Sequence, residues 1–325
     1  MSIMLRSGQV SSLIPSIHEG NGMRKIRKKP KVSVIVPTFN SERTLPACLR
    51  SVCNQSYPFR EIMIVDNFSH DNTLKIAKQF GAKIIQKKCN PALARNLGVT
   101  DSHGEFVLFL DSDQILSRGV IDECAHLCAS ENAGMVWIPE VFSGHDFWSS
   151  CSAVWKNSYE RVDQLYGFSK DLIHGEPRFF CREKLIAVGM LDAALLWGEN
   201  YFLYRKLKRA GVKEAFCRSK IYHGEFESLR GILIKNLRYG KSIPTFLART
   251  QEQILFPVFR HTILAFRETL RSVKKSPDLA IGCFLILWLK ACTAAAGFVA
   301  GKDYSFLRKK VRMSKIAEKQ SWEQY

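Results

Sequence analysis

The stretch Phe106-Val107-Leu108-Phe109-Leu110-Asp111-Ser112-Asp113 decides the fold, because an apolar run that predicts a buried strand ends in two carboxylates one residue apart. In an extended chain alternate side chains point the same way, so Asp111 and Asp113 share one side. One can hold a sugar or ribose hydroxyl while the other binds a hard divalent cation through oxygen. We expect Mn²⁺ or Mg²⁺ here, with a nucleotide diphosphate as candidate ligand. A solvated turn is the alternative.

Strands and helices alternate around this stretch, which is the pattern of a doubly wound, mostly parallel sheet. The predicted strands are 32–37, 61–66, 82–85 and 106–110, and the predicted helices are 45–53, the segment from the turn at 67–73 to about 80, and 92–99. The fold class is therefore α/β, with helices flanking the sheet. We place one domain at 31–240, preceded by a disordered or basic tail at 1–30.

The composition limits the classes of binding partner that we expect. The chain has 325 residues and a formal net charge of +18, with a pI near 9.5. Such a charge favours an anionic partner, either nucleic acid, an anionic membrane surface or a phosphorylated substrate. The sequence has no zinc-finger spacing and no aromatic-rich RNA-binding signature, so no nucleic-acid partner is expected.

The cysteines and the first residues indicate the compartment. Ten cysteines are present and none forms a C-x-x-C motif, so we expect reduced thiols in a cytosolic protein. Residues 1–22 lack the apolar core of a secretory signal, and we expect no export.

The region 241–325 differs in composition and is expected to be helical, basic and apolar, and membrane-associated. Segment 279–301 is almost wholly apolar apart from Lys290 and is long enough to cross a bilayer, which needs about 20 residues. Basic residues flank both ends, so the positive-inside rule gives no orientation. An interfacial hairpin with 254–270 fits at least as well as a span, and a packed soluble helix is the third interpretation.

Five motifs stand in a fixed order along the chain. They are Val32 to Asn40, Val65-Asp66-Asn67, Ala94-Arg95-Asn96 with Gly98, Asp111-Ser112-Asp113, and Trp197-Gly198-Glu199-Asn200. This order resembles family 2 glycosyltransferases over roughly residues 30 to 240. The resemblance implies a GT-A fold and transfer of sugar from a nucleotide-diphosphate sugar with inversion.

The resemblance also implies a set of donor-binding residues. They are Pro37, Thr38, Phe39, Glu42, Asp66, Arg95 and Asp111. Asp66 would contact the base or ribose, and Arg95 would pair with phosphate or with the carboxylates that read the nucleotide. The structural alternatives are that Pro37 only ends a strand and that Glu42 favours a helix N-terminus.

The implied metal ligands are Asp113 and His223, the latter in Ile221-Tyr222-His223. The metal would be Mn²⁺ or Mg²⁺, neutralising the departing diphosphate. A buried structural histidine is the alternative for His223.

Inversion requires a base for the acceptor hydroxyl, and Glu199 at a helix start matches the family's acidic pair. The second acid of that pair is Asn200 here, which cannot accept a proton at neutral pH. Asp192 is the other candidate base, and an acceptor that is already anionic needs none. Acceptor contacts are expected from a loop at 175–180.

The sequence thus predicts a glycosyltransferase at the cytoplasmic face of a membrane, acting on a lipid-linked glycan, polyprenyl phosphate or polysaccharide acceptor. A sugar nucleotidyltransferase would need a Gly-rich phosphate loop, which residues 34–40 lack. A scaffold that binds nucleotide sugar without transfer is the non-enzymatic alternative, and Asn200 supports it.

Overall fold

The computed structural model describes residues 29–58, 60–166, 177–250, 255–274 and 276–301. Nearly all of the predicted N-terminal tail, and the basic stretch from 302 onward, lie outside the described residues. The strands are β1 (Val32–Thr38), β2 (Arg60–Asp66), β3 (Lys83–Gln86), β4 (Phe106–Phe109), β5 (Gln114–Leu116), β6 (Met135–Trp137), β7 (Glu140–Gly144), β8 (Pro177–Cys181), β9 (Glu214–Phe216) and β10 (Ile221–Glu225). The helices are α1 (Leu45–Cys53), α2 (Thr73–Gln79), α3 (Pro91–Asp101), α4 (Val120–Glu131), α5 (Phe147–Tyr166), α6 (Arg182–Ala187), α7 (Glu199–Arg209), α8 (Leu229–Thr250), α9 (Leu255–Ser272) and α10 (Pro277–Ala300).

The main sheet has seven strands in the order β3-β2-β1-β4-β8-β6-β9. β1 pairs in parallel with β2 and β4, and β2 pairs in parallel with β3. β8 runs antiparallel between β4 and β6. The predicted mostly parallel α/β sheet is confirmed. A smaller sheet, β5-β10-β7, lies beyond the end of β4 in sequence.

Helices cover both faces of the main sheet. Along β1, Val34 and Val36 pack into one apolar layer with Leu49 of α1. Ile35 between them packs into the opposite layer with Val99 of α3. Because both faces are buried, β1 is a continuous apolar run, and polar groups are left to the loops that follow the parallel strands.

The expected acceptor loop at 175–180 is corrected by the structure. Residues 177–181 form β8, and Phe179 and Phe180 are buried in the two core layers. Residues 175 and 176 lie outside the described residues. The segment is a strand because pairing with β4 and β6, which are distant in sequence, overrides the Pro177 signal for a loop.

The C-terminal helices pack on the domain. α9 lies along α5, and α10 lies along α5 and α8. A Cβ atom at Gly240 of α8 would lie 2.1 Å from the Ala294 carbonyl oxygen of α10, so only glycine permits this approach. The predicted boundary at residue 240 therefore falls inside α8, and no linker separates the C-terminal helices from the domain at that point.

One helix within the described ranges, Pro277–Ala300, is long and apolar enough to cross a membrane. Its buried side, including Cys283 and Ile286, joins an apolar cluster with Cys151 of α5 and Ile232 of α8. Its outer side exposes Ile281 (62%), Phe284 (58%) and Trp288 (58%). α10 is thus apolar on both its packed and its exposed side.

Candidate active site

Asp111 follows β4 at the carboxyl edge of the parallel strands. Its Oδ1 accepts a hydrogen bond of 2.6 Å from Arg95 Nη2 of α3. Its Oδ2 accepts one of 3.2 Å from Arg178 Nη1 of β8. Both arginine side chains are buried, whereas the Asp111 side chain is 29% exposed. The structure therefore brings two sequence-predicted residues, Arg95 and Asp111, into contact and adds Arg178.

Charge holds Asp111 ionised. Burial by itself raises the pKa of a carboxyl, but the guanidinium groups of Arg95 and Arg178 and the His223 imidazole outweigh burial and hold the pKa of Asp111 well below its usual value. Asp111 is thus a permanent acceptor for hydroxyl donors at the open edge of the sheet.

Glu140 at the start of β7 continues the network. Its Oε1 accepts a hydrogen bond of 2.6 Å from Arg178 Nε, and its Oε2 lies 2.9 Å from His223 Nδ1. Burial raises the pKa of Glu140, yet Arg178 and His223 outweigh it and lower this pKa to about 2. Arg178 therefore bridges two carboxylates, Asp111 and Glu140.

Gln114 at the start of β5 joins the same groups through its amide. Gln114 Nε2 donates to Glu140 Oε2 at 3.0 Å, and Gln114 Oε1 accepts from the Asp111 backbone amide at 2.9 Å. The side chain is completely buried. Gln114 thereby fixes the turn that carries Asp111 and Asp113.

His223 lies between Glu140 and Asp113, the other expected metal ligand. Its Nε2 lies 3.4 Å from Asp113 Oδ1. Burial lowers the pKa of an imidazole, but hydrogen bonds to Asp113 and Glu140 raise the pKa of His223 to about 9. A metal ion binding at Nε2 therefore has to displace a proton.

The side chains at the expected metal site are suited in part to binding a divalent cation. Asp113, 39% exposed, and His223 Nε2 can both face one ion, and Glu140 on Nδ1 is the usual second carboxylate that orients a metal-binding histidine. In the described part of the chain, no group of three or more His, Cys, Asp or Glu side chains is arranged to hold a metal. Mg²⁺ and Mn²⁺ commonly take their remaining oxygens from substrate phosphates and water, so a two-ligand site fits them.

Asp66 ends β2 in a fully buried position. Its carboxylate accepts hydrogen bonds from Thr38 Oγ1 at 2.9 Å, from Ser69 Oγ at 2.5 Å and from the Ser69 amide at 2.9 Å. Because Asp66 is fully buried and its oxygens bind the chain, it makes no surface contact here, and its contact with the base or ribose stays a prediction. Asp66, with Thr38, holds the loop that follows β2 against the loop that follows β1.

These two loops interlock beside the Asp111 turn. Glu42 Oε2 accepts a hydrogen bond of 3.0 Å from the amide of Asn72, the residue before α2. Ser41 Oγ lies 3.0 Å from Ser112 Oγ. Pro37 is the penultimate residue of β1. The loop after β1 exposes Phe39 (56%), and the loop after β2 exposes Phe68 (50%). The loops that carry Thr38, Glu42 and Asp66 therefore bind each other beside the Asp111 turn.

Glu199 begins α7 directly after Gly198. Gly198 has φ +76°, and a Cβ there would lie 2.6 Å from Phe246 Cε2, so glycine is required. Glu199 Oε1 lies 3.9 Å from Arg95 Nη1. Arg95 also binds Asp111. The Arg95 guanidinium therefore lies between Glu199 and Asp111 of the predicted donor site. Asn200 follows it in the first turn of the helix.

Asp192 has a different environment. Its Oδ2 accepts from Arg249 Nε of α8 at 2.7 Å, and its Oδ1 accepts from the Ala194 amide. Asn96 binds the amide and carbonyl of the adjacent Leu191 at 3.0 and 2.8 Å. Asp192 therefore ties the 191–194 loop to α8, and its contacts do not support the role of base.

Sequence reasoning missed Glu140 and Gln114 and assigned Arg178 to the acceptor loop. Glu140 carried a usable signal, because it follows the apolar run 135–139 just as Asp111 follows β4. No signal in the sequence indicated Gln114, because its role depends on pairing between β5 and β10.

Comparison with known proteins places part of this chain in a sequence family. The sequence model of "Glycosyl transferase family 2" matches residues 33–189. The chain is 36% identical over 104 residues to the poly(ribitol-phosphate) beta-N-acetylglucosaminyltransferase TarS of Staphylococcus aureus, covering 29% of this chain and 18% of that protein. It is 30% identical over 120 residues to the cholesterol galactosyltransferase of Borreliella burgdorferi, covering 35% and 34%. Each alignment thus spans well under half of the relative.

The fold is similar to that of a mannosyltransferase from Pyrobaculum calidifontis, solved with GDP-Man and Mn²⁺. The TM-score is 0.56 at 19% identity, over 86% of this chain and 89% of that chain. A likeness at this identity concerns the fold, not the substrate. Residues 33–189 of this chain therefore match glycosyl transferase family 2, and the chain has a GT-A fold.

Proposed function

We propose that this chain transfers a sugar from a nucleotide-diphosphate sugar to an acceptor, with inversion at the anomeric carbon. The observation that carries the proposal is the position of Arg95, which contacts Asp111 at 2.6 Å and lies 3.9 Å from Glu199. One guanidinium thus joins the predicted donor carboxylate to the predicted base, although the two are far apart in sequence.

The donor would lie over the loops that follow β1 and β2. Exposed Phe39 and Phe68 offer faces for the base, and Asp111, held ionised, accepts a hydrogen bond from a ribose hydroxyl. Asp113 and His223 would hold Mn²⁺ or Mg²⁺ with the diphosphate oxygens. When bound, such an ion neutralises the charge that develops on the departing diphosphate.

The Glu199 carboxylate would take the proton from the acceptor hydroxyl. The hydroxyl oxygen then forms a bond to the anomeric carbon as the bond from that carbon to the diphosphate breaks on the opposite face. The proton stays on Glu199 and the nucleotide diphosphate leaves. Asn200 cannot replace Glu199, because a neutral amide does not accept a proton at neutral pH.

We place this activity at the cytoplasmic face of a membrane, with a lipid-linked glycan, a polyprenyl phosphate or a polysaccharide as acceptor. Support comes from α10, whose outer side exposes Ile281, Phe284 and Trp288, and from the net charge of +18. Anionic lipid attracts basic residues near its surface, at about 1 kcal/mol for each.

The test compares Glu199→Gln with Asp192→Asn in an assay of sugar transfer from labelled nucleotide sugars to a membrane lipid extract. We expect Glu199→Gln to lower turnover by about 10²- to 10⁴-fold while nucleotide binding persists. Asp192→Asn should retain turnover. Normal turnover of Glu199→Gln at saturating metal and donor would remove Glu199 as the base.

A non-enzymatic scaffold is the second candidate, favoured by Asn200 at the second acidic position. Donor binding by the wild-type chain, without transfer to any lipid or glycan acceptor, would support the scaffold.

A further inference from the structure

An exposed arginine lies in a loop that contacts the turn carrying the expected metal ligand Asp113. This residue, Arg43, belongs to the loop that follows β1 and is open to solvent. Two residues earlier in the same loop, Ser41 Oγ lies 3.0 Å from Ser112 Oγ, the residue next to Asp113. The loop that carries Arg43 and the turn that carries Asp113 are therefore in direct contact.

The ring of Phe226 connects Arg43 with the expected metal site from a second direction. The guanidinium carbon of Arg43 lies 4.8 Å from the centre of this ring. Phe226 follows the expected metal ligand His223 by three residues. A Cβ atom at Gly224 would lie 2.3 Å from Phe226 Cε2, so the ring packs directly on Gly224. The Gly224 amide in turn donates a hydrogen bond of 3.4 Å to the Asp113 carbonyl oxygen. Contacts thus lead from the Arg43 guanidinium to the backbone beside both expected metal ligands.

The positive charge of Arg43 is not balanced within the described parts of the chain. Among those residues, no carboxylate forms an ion pair with Arg43 and no hydrogen bond holds its side chain. The guanidinium groups of Arg95 and Arg178, in contrast, are buried and bind Asp111. Because a cation–π contact at an exposed position is weak, the Arg43 guanidinium can leave the Phe226 ring for a stronger partner. Arg43 is therefore available to a negatively charged ligand.

The ligand expected at this edge of the sheet is strongly anionic. The diphosphate of a nucleotide sugar, together with the Asp113 carboxylate, carries more negative charge than one divalent cation neutralises. A guanidinium has paired N–H donors that match two phosphate oxygens. An arginine next to the expected metal ligands therefore offers both the additional positive charge and donors of suitable geometry.

We propose that Arg43 binds the diphosphate of the donor and selects diphosphate-linked sugars over monophosphate-linked ones. This assignment rests on the proposed transferase function. When the bond from the anomeric carbon to the diphosphate oxygen breaks, its electron pair goes to that oxygen. Arg43 donates hydrogen bonds to the charged diphosphate and transfers no proton. A monophosphate lacks the second phosphoryl group and gains less from this guanidinium.

The test measures nucleotide binding to the full-length chain by isothermal titration calorimetry at saturating Mn²⁺ and constant ionic strength. The probes are UDP against UMP and GDP against GMP. Arg43→Met removes the guanidinium and keeps an unbranched side chain, and Arg43→Lys keeps the charge without the paired donors. Arg50→Met is the matched control, because Arg50 is an exposed arginine of the neighbouring helix α1.

We expect Arg43→Met to weaken binding of the diphosphate by at least about tenfold. Binding of the corresponding monophosphate should weaken by no more than about threefold. Affinity of Arg43→Lys for the diphosphate should fall between those of the wild type and Arg43→Met, and Arg50→Met should change either affinity by no more than about twofold. The melting temperature of Arg43→Met without nucleotide should equal that of the wild type.

Three results would overturn this assignment and leave the proposed transferase function in place. They are unchanged binding of the diphosphate by Arg43→Met, equal losses for the diphosphate and the monophosphate, and a loss in Arg50→Met as large as that in Arg43→Met. If the wild-type chain bound neither form of either nucleotide, the proposed function and the assignment of Arg43 would both be wrong.

Discussion

At the scale of single residues, the candidate site is a chain of alternating charges. Arg95, Asp111, Arg178, Glu140 and His223 follow one another at distances of 2.6 to 3.2 Å. Each buried carboxylate is held ionised by a cation, and each cation has a carboxylate acceptor. Removal of one member leaves the next as an uncompensated buried charge, so this network is sensitive to single substitutions.

Arg178→Met tests this sensitivity. The substitution leaves Glu140, whose side chain is 9% exposed, without its guanidinium partner. We expect the free energy of unfolding to fall by about 3–5 kcal/mol in chemical denaturation. The control is Lys29→Met, which breaks an ion pair between side chains that are 55% and 49% exposed and should change stability by about 1 kcal/mol or less. Equal losses in the two variants would contradict the role of Arg178.

The sequence predicted which polar residues follow the apolar strands, but it did not predict how their side chains are oriented. Asp111, Asp113 and Arg95 could be found because their positions depend on local alternation and on motif order. The inward turn of Asp66 depends on Thr38 and Ser69 folding back on it, which no local pattern reveals.

At the scale of elements, the carboxylate of Glu61 joins β2 to β1 and to the segment that follows α3. Glu61 of β2 accepts hydrogen bonds from Ser33 Oγ of β1 at 2.6 Å and from the His103 amide after α3 at 2.6 Å. It also pairs with Lys31 and Lys83. Burial raises the pKa of Glu61, but these bonds outweigh it and lower the pKa to about 2.

Glu61→Gln should therefore change how stability depends on pH. A depressed pKa means that the ionised form stabilises the fold above the unfolded value of about 4.3, and that this stabilisation is lost as pH falls toward about 2. We expect the variant to be less stable at neutral pH and to lose less stability on acidification, measured by denaturation at a series of pH values. Glu131→Gln, at an exposed carboxylate of α4, is the control. Parallel pH curves for wild type and Glu61→Gln would rule out this role.

Elements with a regular local pattern were predicted well, and those defined by distant pairing were not. Helix α1 matches its predicted bounds, and β1 and β2 each differ by one residue. β8 was missed because it pairs with β4 and β6 across long stretches of sequence. The boundary at 240 was misplaced because the composition changes there while α8 continues to Thr250.

At the scale of the whole molecule, the C-terminal helices are part of the packed structure. α10 contacts α8 so closely that a Cβ atom at Gly297 would lie 2.2 Å from the Leu237 carbonyl oxygen. The membrane attachment that we propose would therefore use the outer side of this fixed helix, as an interfacial helix does.

Phe284→Glu tests this mode of attachment, because Phe284 is 58% exposed on the outer side of α10. Burial of such a side chain contributes about 1.5–3 kcal/mol, so we expect partition onto anionic vesicles to fall by about tenfold or more. The melting temperature should not change. Ile186→Glu on α6, at a residue that is 40% exposed, is the control. Unchanged partition of Phe284→Glu would argue against attachment through α10.

The central claim, that this molecule binds a nucleotide donor through a metal at Asp113, is tested most directly by thermal unfolding with UDP, GDP or CMP, each with and without Mn²⁺. We predict that one nucleotide stabilises the wild-type chain only with Mn²⁺, by about 2.7 kcal/mol at a concentration near 100 times its Kd. Asp113→Ala should unfold like the wild type without nucleotide, because Asp113 is 39% exposed, and should show no stabilisation with it. No response of the wild-type chain to any nucleotide would contradict the account and leave Asp111 and Asp113 as a turn after a strand.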